Sequence, residues 1–460
     1  MKKFLSTITV LFVVFVTNAQ NEDSIFIRRI ADEILVNGKA YDDLRYLTKQ
    51  IGGRLSGSPQ MVKAEQWGLK TLQSLNPDKA WLQECLVPHW VRGGKDEAFA
   101  SFGPIHNKTQ EAKKLDVIAL GNSLGSGKNG VSADVIEVKS FDELEAKKNQ
   151  VKGKIVFYNY PFNPKLIRTF EAYGDAVGYR GNGPSQAAKY GAVAAIVRSM
   201  SESTDNNPHT GSLRYDSNYK MIPAVAIGLQ DADWLDNQLK QGNISVQLKT
   251  YGHFLPDTVG HNVIAELRGS QFPNEYITIG GHLDSWDPAE GAHDDGTGVV
   301  QTIEVLRVLK ALGYQPKHSI RFVLFANEEN GTRGGQKYSE EALAKGEKHI
   351  FALETDAGGF TPRGFGITGT DEQYQKVSGW QKLLCPYGAC EIEKGGGGSD
   401  IGYLAKANKA ALGEYIPDSQ RYFDIHHSRN DVFENVNKRE LELGAVNIAA
   451  LIYLVDKYGL

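Results

Sequence analysis

The stretch Ile279–Gly298, IGGHLDSWDPAEGAHDDGTG, decides how the rest of this 460-residue chain is interpreted. An apolar segment, Tyr276–Ile279, leads into two glycines, and an H-x-D pair, His282 and Asp284, follows them. The acidic pair Asp294–Asp295 then precedes an apolar pattern of helical period. Carboxylates and an imidazole crowded at the carboxyl end of a strand are typical of a metal site.

Composition and the N-terminus narrow the class of protein. The chain has 51 Lys and Arg against 55 Asp and Glu, a net charge of −4, with no long run of one sign. This balance favours neither nucleic acid nor an anionic membrane as a partner. Residues 1–19 are typical of a cleaved export signal, because Lys2 and Lys3 precede the apolar run Ile8–Val16 and small residues follow at Thr17–Ala19. That run is shorter than the roughly 18 apolar residues of a membrane span, so we expect an exported protein, periplasmic or secreted, with no membrane anchor.

Changes in composition and in hydrophobic pattern divide the remaining chain into three parts. Residues 20–115 begin with amphipathic helical patterns, one of which we expect to open at Pro59. Residues 116–252 contain short β-rich runs without clustered His, Asp and Glu, which predicts an inserted β-rich domain with a structural or lid role. A ligand-binding role of its own is the alternative. Residues 253–460 alternate apolar strands with amphipathic helices. This alternation predicts an α/β fold with a mixed, mostly parallel sheet that helices cover on both faces.

Acidic or imidazole side chains follow three apolar strands of the third part. His282 follows the first strand, Glu328–Glu329 follow SIRFVLFAN, and Asp356 follows IFALE. Because ligands of such sheets bind at the carboxyl ends of the strands, we expect these side chains to converge. Asp294, in the loop before a helix, and His427, in RYFDIHHSRNDVF, complete a mixed nitrogen and oxygen donor set that suits zinc. Each residue alone is more often a solvated or turn residue, but burying all of them without a metal would be costly.

Five motifs resemble those of a known family. HLDSWD, GAHDDGTG, the NEE at 327–329, ETDAGG and HHSRND occur in this order. They resemble the di-zinc exopeptidases of metallopeptidase family twenty-eight, and most closely its plasma glutamate carboxypeptidase subgroup, whose members are dipeptidases. The resemblance runs from GGRLSGSP, residues 52–59, to the C-terminus. It implies the zinc exopeptidase fold, a peptidase domain formed by residues 20–115 and 253–460, and a protease-associated domain inserted at residues 116–252.

The resemblance implies that five side chains hold two Zn²⁺ ions. By the family's pattern, Asp294 bridges the two ions. His282 and Asp356 would then bind one ion, and Glu329 and His427 would bind the other.

The choice of His427 over its neighbour His426 rests on the family spacing H-[S/T]-x-x-D, which the residues from His427 to Asp431 match. His426 would then lie outside the ligand set, near the metal ligands or on the substrate side. His293 would be a bystander, since its position varies in the family. Thr297 stands where the subgroup often has a third glycine, a change in a helix-start loop that should not affect the ligands.

The resemblance also implies the catalytic roles. Glu328 would be the general base, accepting a proton from a water that the two metals activate and delivering it to the leaving amine. Asp284 would accept a hydrogen bond from His282 and so orient its ring.

Fewer sequence features predict the substrate pocket. Gly395–Gly398 form a run that allows backbone to approach a ligand closely, and Ser399 and Asp400 follow it. In the family a comparable loop lines the substrate pocket, although a flexible surface loop stays open as the alternative. Tyr422, five residues before His427, is a candidate donor to the oxyanion.

We therefore expect an exported zinc exopeptidase whose partners are peptide substrates, either dipeptides or short peptides with free N-termini. A broader aminopeptidase is the alternative. A single-zinc glutaminyl cyclase would not need the intact His282 and Asp284 pair, and a receptor-like binding relative would not need all five ligands and the base. A homodimer, and a disulfide between Cys385 and Cys390, stay open; with three cysteines in all, the chain is not a disulfide-built scaffold.

Overall fold

The computed structural model describes residues 22–102 and 112–460, and the predicted export signal at residues 1–19 lies outside the described residues. The described chain forms two sheets of eight strands each, with helices packed on both. Within these two ranges we find no helix that is both long and apolar enough to cross a lipid bilayer.

The strands and helices are numbered in chain order within the described residues. The strands are β1 (Lys79–Val91), β2 (Glu97–Phe102), β3 (Lys113–Leu115), β4 (Val117–Ala119), β5 (Val131–Val138), β6 (Ile155–Tyr158), β7 (Ala194–Arg198), β8 (Ala224–Ile227), β9 (Ile244–Lys249), β10 (His253–Leu267), β11 (Phe272–His282), β12 (His318–Phe325), β13 (Lys348–Glu354), β14 (Pro362–Thr368), β15 (Glu391–Lys394) and β16 (Ala411–Pro417). The helices are α1 (residues 22–37), α2 (Ala40–Tyr46), α3 (Pro59–Ser74), α4 (Phe141–Ala146), α5 (Lys148–Val151), α6 (Thr169–Gly181), α7 (Gly183–Lys189), α8 (Leu229–Leu239), α9 (Thr297–Ala311), α10 (Arg333–Ala344), α11 (Asp371–Ser378), α12 (Gln381–Leu384), α13 (Gly402–Asn408), α14 (Tyr422–Ile425) and α15 (Lys438–Tyr458). Short turns of other helical pitch lie at Leu47–Ile51, Ala292–Gly296, Cys385–Tyr387 and Phe433–Asn435.

The main sheet has the strand order β1-β10-β12-β11-β13-β16-β14-β15. Its central strands β12, β11, β13 and β16 run parallel to one another, and so do β14 and β15. The other three neighbouring pairs are antiparallel. The predicted mixed, mostly parallel sheet is therefore confirmed, and its parallel centre brings several carboxyl ends to one edge.

Both faces of the main sheet are covered, as the continuous apolar strands predicted. Every residue of β12 is buried. Phe322 and Leu324 belong to one core with residues of α9 and α15, whereas Val323 and Phe325 belong to a second core with residues of α10 and α13. Successive residues of a strand point to opposite faces, so the strand can supply two cores only if it is apolar along its length.

Local sequence determines where the helix before β1 begins. The Ser58 side chain accepts a hydrogen bond from the backbone N–H of Met61, and Pro59 occupies the first turn of α3. A serine at the N-cap satisfies a backbone donor that the helix cannot, and proline at the first position loses no intrahelical bond. The helix predicted to open at Pro59 is confirmed.

The second sheet has the order β3-β2-β9-β5-β6-β7-β8-β4, and all its strands lie between β1 and β10 in the sequence. Strands β2 and β3 precede residue 116, so this sheet starts before the boundary predicted there. The reason is that β2 pairs along its length with β9, a ladder between distant segments that local composition cannot reveal. At the other end β10 begins at His253, next to the predicted boundary at 252. We call this sheet, β2–β9, and the helices between its strands the second layer. Its identification with a protease-associated domain stays a prediction.

Strands β1 and β10 form a long antiparallel pair that connects the two layers, with register from Lys79 opposite Glu266 to Val91 opposite His253. Just past this pair, the Arg92 guanidinium donates to both carboxylate oxygens of Asp287 at 2.7 and 2.6 Å. Asp287 lies in the loop that follows β11. The second layer is thereby held against the carboxyl edge of the main sheet.

The cysteine pairing left open by the sequence is resolved by proximity. Cys385 and Cys390 are joined by a disulfide bond, with their Cα atoms 4.2 Å apart. Cys85 is a free, buried cysteine on β1.

Candidate metal centre

The predicted donors come from the ends of three adjacent parallel strands. His282 is the last residue of β11, Glu328–Glu329 lie in the turn after β12, and Asp356 follows the end of β13. Because β12, β11 and β13 are neighbours in parallel register, their carboxyl ends reach the same edge. The strand-end argument therefore placed these side chains together as expected.

Asp294 lies between two groups of donors and faces each with one carboxylate oxygen. Its Oδ1 is 3.2 Å from Nε2 of His282, which is 3.4 Å from Oδ1 of Asp356. Its Oδ2 is 3.1 Å from Nε2 of His427, which is 3.2 Å from Oε2 of Glu329. The five side chains thus form two groups that share Asp294, and their assignment as ligands of two metal ions stays a prediction.

The spacing of these atoms fits a small tetrahedral cation. Zinc bonds of roughly 2.0–2.2 Å give tetrahedral edges of roughly 3.3–3.5 Å between ligand atoms, close to the 3.1–3.4 Å measured here. Nε2 of His282, Oδ2 of Asp294 and Oε1 of Glu329 are buried without a hydrogen-bond partner in the described chain. Buried polar atoms without partners are costly, so the donor set is suited to hold metal.

The electrostatics of the cluster also favour a bound cation. Burial alone would raise the pKa of Asp294, but contacts with His282 and His427 outweigh it and hold this pKa well below its usual value. Burial, and next the charge of Asp294, raise the pKa of Glu329 to about 8. The two carboxyl groups compete for the same imidazoles, a conflict that a bound cation would remove.

Asp284 accepts the predicted hydrogen bond from His282, and it does so through its backbone carbonyl. Nδ1 of His282 donates to the backbone carbonyl of Asp284 at 3.0 Å, while the nearer carboxylate oxygen lies 3.7 Å away. The Asp284 carboxylate instead accepts the backbone N–H groups of Glu328 at 3.0 Å and Glu329 at 3.4 Å. The tight turn after His282 brings the carbonyl of the second residue onward under the ring, which leaves the carboxylate free to hold the turn after β12.

His427 lies nearer to the second donor set than His426 does, and the choice between them as ligand stays a prediction. Nε2 of His426 lies 3.6 Å from Asp294, beyond the 3.1 Å of His427, and the two rings stack with centroids 3.6 Å apart. Nδ1 of His427 donates to the carbonyl of Thr210 at 3.2 Å, and the Thr210 N–H donates to the His427 carbonyl at 2.9 Å. The second layer therefore orients this imidazole, a contact no sequence pattern signals because it uses backbone atoms of Thr210.

Three further side chains that the sequence argument did not assign hold the loops of the site. The buried Arg54 donates to the carbonyls of Leu283, Glu290 and Gly291. The carboxylate of Asp431 accepts the backbone N–H groups of His293 and Asp294 at 2.7 and 3.1 Å, and that of Asp295 accepts those of His282 and Gly298 at 3.0 and 2.9 Å. Arg54 lies in GGRLSGSP and Asp431 ends the H-[S/T]-x-x-D motif, so both belong to motifs identified in the sequence.

His293 has only structural contacts in the described chain, which agrees with the prediction that it is a bystander and not a ligand. Its ring stacks on Phe360 with centroids 4.2 Å apart, and Nδ1 accepts the Gly359 N–H at 3.1 Å. Nε2 lies 3.1 Å from the carbonyl of Asn435, to which it can donate. Burial lowers the pKa of His293 to about 4, which keeps this ring neutral.

A cavity of about 550 Å³ opens onto the donors, and we call it the main cavity. The sheet side contributes Glu328, Asp356, Ser399 and Tyr422, so two of the three predicted substrate residues line it. Burial, and next the charges of Asp294 and Asp356, raise the pKa of Tyr422 well above its usual value, which leaves the phenol protonated as a donor.

Asp400, the third predicted substrate residue, is not among the residues that line the main cavity. It is buried, and its backbone N–H donates to Oε2 of Glu354 at 3.1 Å. Its own carboxylate oxygens are buried without a hydrogen-bond partner in the described chain. Burial, and next the charge of Glu354, raise its pKa well above the usual value.

Residues of the second layer form the opposite wall of the main cavity. They include Phe170, Tyr173, Arg180, Leu213 and Arg214. No sequence pattern indicated this wall, because the segment lacks clustered acids and histidines. Its contribution is instead aromatic and cationic.

Known proteins share both the sequence and the fold. The profile of peptidase family M28 matches residues 262–452. Carboxypeptidase Q of Mus musculus is 34% identical over 419 residues, which cover 91% of this chain and 85% of that protein. A crystal structure of a peptidase M28 precursor from Shewanella amazonensis is 31% identical with a TM-score of 0.88, and the match covers 95% of this chain and 96% of that one.

A more distant structure shares the fold. BSAP, a zinc aminopeptidase from Bacillus subtilis, is 20% identical with a TM-score of 0.64, and the match covers 90% of this chain and 94% of that one. The identity to carboxypeptidase Q extends over nearly the whole of both proteins, well beyond the region that the family profile matches. This chain therefore belongs to peptidase family M28 and is a metallopeptidase.

Proposed function

We propose that this peptidase is an exported di-zinc exopeptidase that hydrolyses dipeptides and short peptides. The observation that carries the proposal is the position of Asp294. Its two carboxylate oxygens face separate donor sets, His282 with Asp356 and His427 with Glu329, at 3.1–3.2 Å from the nearer imidazole nitrogens. One carboxylate shared between two imidazole and carboxylate pairs suits two neighbouring metal ions.

The donor set fits zinc in its chemistry as well as its spacing. Imidazole nitrogen and carboxylate oxygen are its common protein ligands, and the related fold of the B. subtilis protein is that of a zinc aminopeptidase. When bound, the two ions supply Lewis-acid chemistry, lowering the pKa of a water and polarising the scissile carbonyl.

Glu328 is positioned to move the proton. Its side chain lines the main cavity, and the hydrogen bond from its backbone N–H to Asp284 holds the turn that presents it. A carboxylate there can accept the proton of the attacking water and pass it to the leaving amine. The protonated Tyr422 phenol, on the same cavity wall, can donate to the oxygen of the scissile carbonyl.

Arg180 supports a substrate with a free carboxylate close to the scissile bond. Its side chain lines the main cavity and is 6% exposed. Within the described chain its guanidinium forms no ion pair with a carboxylate, and its buried Nε has no hydrogen-bond partner. The remaining nitrogens contact neutral oxygens, the Thr210 carbonyl and the Tyr173 hydroxyl. A buried cation without an anionic partner is costly, so this one is suited to an anionic group of the substrate.

The position of Arg180 limits how long that substrate can be. Its NH1 lies 3.4 Å from Nδ1 of His427, whose Nε2 faces Asp294 and Glu329. One imidazole ring therefore separates the guanidinium from the donor atoms. A carboxylate bound at Arg180 would belong to the residue next to the scissile bond, which favours dipeptides over longer chains.

The dipeptide Ala-Phe and its C-terminal amide test this function. We expect the free acid to be hydrolysed with a kcat/KM roughly 10- to 100-fold above that of the amide, because the amide loses a charge-assisted hydrogen bond to Arg180. Arg180→Gln should reduce this ratio towards one with zinc content unchanged. Arg198→Gln is the matched control, since Arg198 lies on β7 of the second layer and bonds to Asp233 and Asn159.

The other outcomes separate the alternatives. Equal rates for acid and amide would support a broader aminopeptidase, an activity that the fold shared with the B. subtilis enzyme also suits. If N-acetyl-Ala-Phe were cleaved as fast as the free dipeptide, the exopeptidase assignment would be wrong.

Export rests on residues 1–19 alone, where two lysines, an apolar run and small residues follow one another. Cleavage after Ala19 would leave Gln20 as the first residue. N-terminal sequencing of the protein recovered from outside the cytoplasm should therefore begin at Gln20, and a protein retained with Met1 intact would contradict export.

A further inference from the structure

A second cavity adjoins the main cavity beside Asp356, and we call it the acidic compartment. It also measures about 550 Å³ and shares Phe170, Asp356 and Ser399 with the main cavity. Its other lining residues are Glu354, Leu412, Glu414 and the glycines at 396–398. None of the described residues that line it is basic, and three of them carry carboxylates. Of these, Asp356 also lies 3.4 Å from Nε2 of His282, and Glu414 also lines a neighbouring cavity that contains basic side chains.

Two of these carboxylates are juxtaposed by the sheet itself. Glu354 on β13 and Glu414 on β16 are partners in the parallel register of neighbouring strands. Like charges at paired positions of a sheet destabilise it. With Asp356 assigned to the metal centre, Glu354 and Glu414 are the acids left to meet a ligand in this compartment.

Glu354 has an unused acceptor in the compartment. Its side chain is 1% exposed, and Oε2 accepts the backbone N–H groups of Asp400 and Ile401 at 3.1 and 2.9 Å. Its other oxygen, Oε1, is buried without a hydrogen-bond partner in the described chain. A buried carboxylate oxygen in this state is suited to accept from a charged donor.

The neighbouring loop is built close around this carboxylate. A Cβ atom added at Gly398 would lie 2.3 Å from Oε1 of Glu354, so a side chain there would displace the glutamate. Gly398 therefore has a packing role beside Glu354.

The remaining walls of the compartment are apolar. Phe170, which is 38% exposed, comes from the second layer, and Leu412 comes from β16. Phe170 stacks on Tyr422 with ring centroids 5.3 Å apart. Apolar walls beside terminal carboxylates suit an alkyl chain that ends in a cation, because its methylenes pack while its charged end reaches the acids.

We propose that Glu354 and Glu414 form a subsite for the positively charged side chain of a substrate lysine or arginine at the residue beside Asp356. The subsite extends the main cavity away from Arg180, so it would bind one side chain of the same short peptide. This assignment rests on the proposed peptidase function and adds a side-chain preference to it.

Dipeptides that differ only in the terminal charge test the subsite in the zinc-loaded wild-type enzyme. Lys-Ala is compared with norleucyl-alanine, and Ala-Lys with alanyl-norleucine, since norleucine has the linear alkyl chain without the ammonium. We expect kcat/KM to favour lysine roughly 10- to 100-fold in one of the two orders, the effect of a hydrogen bond to a charged group. Ratios near one in both orders would overturn the proposal.

A substitution tests whether Glu414 causes the preference for lysine. Glu414→Gln should lower the lysine-to-norleucine ratio towards one, and Glu275→Gln, at the opposite end of the main sheet where Glu275 pairs with Lys348, should leave it unchanged. If Glu414→Gln lowered kcat/KM equally for both members of a pair, Glu414 would only support the loop and the subsite would be wrong. Hydrolysis of the norleucine dipeptides by the wild-type enzyme keeps this result separate from a failure of the peptidase function itself.

Discussion

Dialysis of the purified enzyme against a chelator is expected to abolish dipeptide hydrolysis, and added zinc should restore it. Five donor side chains from four separate segments converge. Several of their buried atoms, including Nε2 of His282 and Oε1 of Glu329, have no hydrogen-bond partner in the described chain. The ions would supply several kcal/mol of charge stabilisation in the transition state, so their loss should reduce the rate by roughly a thousandfold or more.

The measurement combines activity with metal analysis. Two zinc ions per chain are expected in the untreated enzyme, and circular dichroism before and after chelation shows whether the fold survives. Asp294→Ala should lower the zinc content as well as the activity, since Asp294 faces both donor sets. Full activity in metal-free protein would remove the metal from the mechanism.

Glu328→Gln is expected to lower kcat by roughly 10²- to 10⁴-fold, the range found when a general base is lost. Glutamine keeps the size of the side chain but cannot accept the proton of the attacking water. Glu328 is not one of the five donors, so zinc content should match that of the wild-type enzyme. Because both steps assigned to Glu328 follow substrate binding, KM should change little.

The control for this variant is Glu340→Gln, which changes an exposed glutamate of α10 that bonds to Gln336. Its kcat and zinc content should both equal those of the wild-type enzyme. A Glu328→Gln enzyme of undiminished kcat would assign the base to another residue, and a variant that loses zinc would make Glu328 a metal-site residue.

Much of the donor set could be predicted because it follows apolar strands. His282, Glu329 and Asp356 each come within four residues of the end of a strand in the parallel centre of the sheet. A strand buried on both faces must be apolar along its length, so the first polar residues after it stand out in the sequence. The helix that starts at Pro59 was likewise visible from its local capping residues.

Contacts between distant segments were not predictable in this way. The orientation of His427 depends on a backbone carbonyl at Thr210, and the start of the second sheet depends on a ladder between β2 and β9. The acceptor role of Asp284 was predicted, but spacing alone could not tell whether its carbonyl or its carboxylate accepts from His282.

By itself, the sequence of this peptidase indicated the class of fold, the candidate donor residues and, through its motifs, the resemblance to a family. Those features depend on residue type and on spacing within short segments, which the chain carries locally. Only the tertiary structure decided that Asp294 faces two donor sets, that Arg180 reaches the main cavity from the second layer, and that Glu354 lies opposite Glu414. These depend on the register and packing of segments far apart in the chain, which no local pattern encodes.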